Sequence, residues 1–233
     1  MGLNLVIKDL PAHKLEKSGI KCVECSFWFD YEEGTFLEEL YGTRSLSDVR
    51  YFFRRRFKHP DYGKNGQKKL VTFVNKGGIV KGVFKDRKCV GLLMAGSYEI
   101  FPKLRSFNVF PPDPESIFLG CIYKKPKENG DEINKRLLIE LGKDLLKKNI
   151  AAIETVGKRL DEDVSEKEFE NSSLLSFKFL INNGFYLKKN DKHFPLLRLD
   201  LKSIAKDFAG EKLSMAETVY KKTVRNPVVI REK

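Results

Sequence analysis

The chain has no apolar run of the length that a membrane-crossing helix requires, so none of its 233 residues is expected to span a bilayer. Histidine and cysteine are scarce. Three histidines, His13, His59 and His193, are scattered, and only Cys22 and Cys25 form a close pair. Zinc sites are usually built from two such pairs, so no metal site is expected. For Cys22 and Cys25 themselves, free thiols, a disulfide and a metal site all remain open, with reduced thiols the default. Cys89 and Cys121 each sit inside apolar runs, as core cysteines do. The opening MGLNLVIKDL carries neither a charged leader nor a cleavage site, and Val6 stands where a myristoylation motif has Ser or Thr. A cytoplasmic location is the expectation. No internal repeat or low-complexity segment interrupts the chain.

What the chain does have is enough apolar material for a sizeable core: 41% hydrophobic and 12% aromatic residues. Forty-four basic residues against 32 acidic give a net charge of +12, which favours anionic partners such as phosphates, nucleic acid or acidic proteins. A helix is expected over residues 47–58, where Val49, Phe52, Phe53 and Phe57 recur at helical spacing. Arg54, Arg55 and Arg56 then fall mainly on its outer face. That face suits a solvated surface first and a nucleic-acid-binding module second.

Residues 3–10 read as a strand ended by Pro11, and 68–75 as an ambiguous apolar segment ended by Gly77 and Gly78. Two strands, 79–85 and 89–99, meet at Asp86-Arg87 as an antiparallel hairpin. Residues 102–114 hold four prolines and form an irregular excursion. SIFLGCIY at 116–123 is a continuous apolar strand, as at a sheet centre covered on both faces. Ile133, Leu137, Leu138, Leu141, Leu145 and Leu146 stripe one side of a helix over 131–148, and 150–156 is another buried strand. Strand, helix and strand make a right-handed crossover with parallel strands. A polar, acidic loop over 158–173 leads to a shorter helix at 174–183, capped at Gly184. Strands at 185–189 and 196–201 complete the sheet. Residues 202–233 read as an appendage of one helix and a short strand, which packs on the domain or pairs with a second subunit as a homodimer.

This order, together with CVECSFWFD, GCIYKKP, AAIETVG and NNGFY followed by FPLLRLDL, resembles the GNAT superfamily of N-acetyltransferases over residues 1–201. The resemblance implies a mixed α/β fold in which the central strand pairs with the pantetheine arm of acetyl-CoA. The next turn and helix start would then take the pyrophosphate, as unpaired N–H groups at a helix N-terminus do. It assigns the arm to Ile122 and Lys124, and the phosphates to Asn129, Gly130, Asp131, Glu132, Ile133, Asn134 and Lys135. The family pattern has small residues where this chain has Glu132 and Asn134. Asp131 and Glu132 would repel a pyrophosphate, and Lys124, Lys125, Lys127 and Lys135 offset that.

The resemblance also implies proton removal from an amine by a carboxylate or water, then attack on the thioester. Glu154, a lone carboxylate in the apolar run 150–156, is the candidate base, ahead of Glu99 and Glu115. The family's tyrosine acid would stand four residues before Gly184, where this chain has Leu180, so Tyr186 or Tyr123 would have to replace it. Cys121 lacks a neighbouring base and is read as core. The implied activity is acyl transfer from CoA to an unidentified amine; the alternatives are a silent GNAT-like binding domain and a nucleic-acid-binding module.

Overall fold

The computed structural model describes residues 5–18, 20, 23, 25–29, 64–125, 130–159 and 174–202. The expected helix at 47–58 with its three arginines, Cys22, Lys127, Asn129, nearly all of the acidic loop and the appendage from 203 onward lie outside the described residues.

Alternation and turn chemistry set the first half of the sheet. Strand β1 (Leu5–Asp9) is followed by a short helix, α1 (Ala12–Leu15), and later by α2 (Lys64–Asn75). The ambiguous apolar segment is therefore helical. Its end is built on Gly77, whose φ of 89° suits glycine, and the N–H groups of Gly77 and Gly78 turn back to the carbonyls of Val74 and Phe73. Strands β2 (Ile79–Lys85) and β3 (Lys88–Gly96) form the expected hairpin, with Asp86 and Arg87 both at positive φ. β3 ends at Gly96 rather than Glu99, because residues 98–100 and 102–106 wind into two 3₁₀ turns.

The second half is the crossover. Strand β4 (Ser116–Lys124), helix α3 (Gly130–Lys147) and strand β5 (Ala152–Lys158) follow in order. β5 begins two residues later than expected. The Ile150 N–H is spent on the Leu145 carbonyl, with Asn149 at φ 57° turning the chain. Beyond it come β6 (Leu175–Ser176), α4 (Phe177–Asn182), β7 (Tyr186–Lys189) and β8 (Leu196–Asp200). The start of the expected helix at 174–183 is thus the small strand β6, and Ser176 ends it by accepting the Phe179 N–H on its side-chain oxygen at 3.1 Å.

The strands lie in the order β1-β2-β3-β4-β5-β8-β7, with β6 attached to β5. Among the described residues only β4–β5 and β5–β6 are parallel. One face packs under α3 and α4, where Ile133, Leu137, Leu141 and Leu180 meet Leu93, Leu119, Ile153 and Leu197. The other packs under α1, α2 and the excursion, around Trp28, Phe73, Phe101, Phe107 and Phe118. The observed architecture is the mixed α/β sheet that the resemblance implies. No helix among the described residues is long and apolar enough to cross a membrane.

Candidate functional site

The two central strands stay together for three residue pairs only. Ser116, Ile117 and Phe118 pair with Ala152, Ile153 and Glu154, and there the ladder stops. Just past this vertex two side chains take up main-chain acceptors of β4. Thr155 Oγ1 donates to the Leu119 carbonyl at 2.7 Å, and Trp28 Nε1 to the Gly120 carbonyl at 2.8 Å. Gly120 is an extra residue in β4, since the register with β3 steps from Ala95↔Leu119 to Met94↔Cys121. Further along, the Lys125 N–H bonds the Val90 carbonyl on β3 at 2.9 Å. Main-chain groups alternate along an antiparallel strand, so those of Ile122 and Lys124 point the other way, into the gap that β5 has left. Across the gap β6 takes over the vacated side of β5, at Gly157 and Lys158.

The start of α3 overhangs this gap. Gly130 and Asp131 are its first residues, and its first four N–H groups lack helical partners and form the positive end of the helix dipole. Ile133 is buried against β3: a Cβ added at Gly91 would lie 2.9 Å from its Cγ2. Its contribution to an anion site is therefore its main chain. Glu132 is paired with Arg136 at 2.5 Å, which offsets the repulsion expected from that carboxylate. Asn134 Oδ1 is buried with no hydrogen-bond partner. Between α3 and α4 lies a cleft of about 430 Å³ lined by Glu132, Lys135, Ser176, Lys178, Phe179, Asn182 and Asn183. Its two lysines, with Arg136 balancing Glu132, make it electropositive. An orphaned acceptor, two lysines and a helix start fit a phosphate-bearing carrier with an amide-containing arm.

Glu154, at the vertex, faces the opposite side of the sheet and is 0% exposed. Its carboxylate accepts from Lys188 Nζ, from Arg198 at 2.9 Å and from the Asp113 N–H at 2.9 Å. Arg198 also reaches Asp113 at 2.9 Å and Asp200 at 2.7 Å. Burial works against the Arg198 charge, but Asp200, Glu154 and Asp113 together hold its pKa above the ordinary value. The Glu115 N–H, which donates to Asp113, and then Arg198 and Lys188 hold Asp113 below the usual carboxylate range; Arg198 does the same for Asp200. Tyr186 is 45% exposed on the edge strand β7 and donates to Asp200 at 2.9 Å. Partial burial and that carboxylate raise its pKa. It stands two strands from β5, about 10 Å across the sheet. The structure therefore joins Tyr186 to the Glu154 cluster and not to the gap beside β4.

Leu180, where the resemblance would call for a tyrosine, is 0% exposed in the core under α4. Tyr123 lies on β4 between Ile122 and Lys124. Cys121 is buried in the core, Glu99 sits in a 3₁₀ turn, and Glu115 precedes β4. Among the described residues no group of three or more His, Cys, Asp or Glu could hold a metal ion.

No family model and no curated protein matches the chain. Among solved structures it is similar to the PaiA N-acetyltransferase of Thermoplasma acidophilum in complex with coenzyme A, at 17% identity over 84% of this chain and 99% of that one, with a TM-score of 0.47. It is also similar to an acetyltransferase from Thermus thermophilus, at 12% identity over 86% and 99%, TM-score 0.49. A GNAT-family acetyltransferase from Listeria monocytogenes gives 10% over 86% and 98%, TM-score 0.46.

Several site residues escape sequence reasoning. Ser176, Lys178, Asn182 and Asn183 carry no motif, and they reach the cleft only because β6 docks on β5. The partners of Glu154 come from 34 to 44 residues away in sequence, and 41 for the Asp113 N–H. The single local signal was Glu154 itself, a carboxylate alone in an apolar run.

Proposed function

We propose that the chain is an N-acyltransferase that takes an acyl group from acetyl-CoA, or another acyl-CoA, and delivers it to an amine. The observation that supports this best is the parting of β4 from β5 right after Phe118 and Glu154. It leaves the main chain of Ile122 and Lys124 with no strand partner on that side among the described residues, and an extended arm bearing amides can pair with such an edge as a strand would. The carrier supplies an acyl group activated as a thioester.

In this reading the first turn of α3, from Gly130 through Asp131, Glu132 and Ile133, offers N–H groups to the phosphates. Lys135 and Lys178 add positive charge from the two walls of the cleft. Glu154 is the proposed acceptor of the amine proton. Of its three donors, Lys188 has the more exposed cationic side chain, at 26% against 17% for Arg198, and presents the same ammonium chemistry as an amine substrate. An incoming ammonium would therefore displace Lys188. Tyr123, on the wall of the gap, is proposed as the hydroxyl that protonates the leaving thiolate, with Tyr186 too far along the sheet for that task.

Calorimetric titration with acetyl-CoA tests binding, and thiol release in the presence of a panel of amines tests transfer. Binding that weakens as salt rises, and weakens further in Lys135→Glu or Lys178→Glu, is expected. Absence of any heat or thermal shift at millimolar acetyl-CoA would defeat the proposal. The buried Leu180 favours a second reading, a domain that holds the carrier without turnover; binding without thiol release on any amine selects it.

A further inference from the structure

We infer that Asn134 recognises the amide-bearing arm of the carrier, by accepting an N–H of that arm on its side-chain oxygen; the inference rests on the function proposed above. In α3 the residue belongs to the inward stripe with Leu137, Leu138 and Leu141, which are all buried. Such a position ordinarily holds an apolar side chain. One neighbour, Ile133, lies on the flank that packs over Gly91 of β3, and the other, Lys135, lies on the flank that lines the cleft against α4. Asn134 stands between them on the helix circumference, on the side that overlies the parting of β4 and β5. Its Oδ1 is buried and without a hydrogen-bond partner.

A buried carbonyl oxygen with no donor destabilises the folded chain, and buried polar groups are nearly always paired. The main-chain donors of α3 are committed to the helix beyond its first turn, and the adjacent stripe residues are all hydrocarbon. The missing donor must therefore come from something that enters the gap. An amide N–H on an extended arm has the right chemistry, whereas a phosphate, which only accepts, does not. Asn134 thereby turns a site that binds nucleotide phosphates into one that demands the arm as well.

The experiment compares coenzyme A with adenosine 3′,5′-bisphosphate, which lacks the arm, on the full chain and on Asn134→Leu and Asn134→Ala. Asn134→Leu should weaken coenzyme A binding about tenfold, leave adenosine 3′,5′-bisphosphate binding unchanged, and keep or raise the thermal midpoint without ligand. Asn134→Ala gives the affinity comparison if the leucine is not accommodated. In the parent chain, the Asn134 side-chain amide resonances should shift with coenzyme A and not with the bisphosphate. Equal coenzyme A affinity in parent and variants overturns the inference while leaving the acyltransferase reading intact. So does a midpoint lowered by both variants, which would mean that the oxygen serves the fold through a bound water. A parent chain that binds no coenzyme A overturns both readings.

Discussion

Two cations and a main-chain N–H converge on Glu154, and each meets the carboxylate in a place that solvent does not reach. Removing that one charge leaves Lys188 and Arg198 side by side, with only the partly exposed Asp113 and Asp200 to balance them. Breaking a buried ion cluster on one side costs about 3 kcal/mol. Glu154→Gln should therefore lower the unfolding free energy by that order in urea titrations. Pairing it with Lys188→Met should recover part of the loss, because one cation fewer is then left without the Glu154 carboxylate. If Glu154→Gln unfolds at the parent's urea midpoint, the cluster contributes nothing and the description of the vertex is wrong. For catalysis, Glu154→Gln should cost about 10²-fold in turnover or more, the range expected for losing a general base. Tyr186→Phe should leave turnover nearly unchanged.

Among the elements, helix α3 and strand β3 are fitted to each other at Gly91. A methyl group there would meet Ile133 Cγ2 at 2.9 Å and the Tyr123 carbonyl at 3.1 Å. The first turn of α3 would have to lift. Gly91→Ala should destabilise the chain by about 1–3 kcal/mol and also weaken acetyl-CoA binding, measured by calorimetry. Unchanged affinity would show that the overhang of α3 does not shape the gap. Elements of this kind were legible in the sequence where the signal is local. Gly77-Gly78 announced a helix end, Asp86-Arg87 a hairpin, and six apolar residues at helical spacing announced α3. β6 was not legible, because two residues leading into a helix carry no strand period of their own. They are strand only because β5 has a free edge there. A gap beside β4 was implied only by the resemblance, which gives that edge to the pantetheine arm, since SIFLGCIY and IAAIETV both read as strands that could pair throughout. Asn134 read as a residue too large for its place; that its oxygen has no partner depends on everything packed around it.

For the whole molecule, charge sets the pH range of stability. Asp113, Asp144 and Asp200 all titrate below the ordinary carboxylate value in the folded chain. For Asp144 the chief cause is the hydrogen bond from Lys81 Nζ, a buried amine that also holds Asp9. Protonating these groups is harder folded than unfolded. Their stabilisation is complete above the unfolded value near pH 4 and is lost as pH falls through the lower folded values. Burial opposes the Lys81 charge, but Asp144 and Asp9 prevail and its pKa is raised. That contribution is present below the unfolded lysine value and disappears as pH climbs through the folded one. Thermal midpoints should hold steady through neutral pH and fall below about pH 4. Lys81→Met should blunt the acid loss by removing the partner of Asp144; a midpoint as steep in acid as the parent's would contradict the assignment.

Among the described residues, three pairs at the vertex are the whole of the main-chain ladder joining β1–β4 to β5, β8 and β7. The sheet is in effect two antiparallel panels stitched along a short seam, with the Thr155 to Leu119 bond and the Lys189 contacts to the carbonyls of Val109 and Pro111 as extra threads. Within each panel the register is set by that panel's own antiparallel ladders. Amide hydrogen exchange should therefore resolve two protection levels, one per panel, and loosening the seam should separate them further.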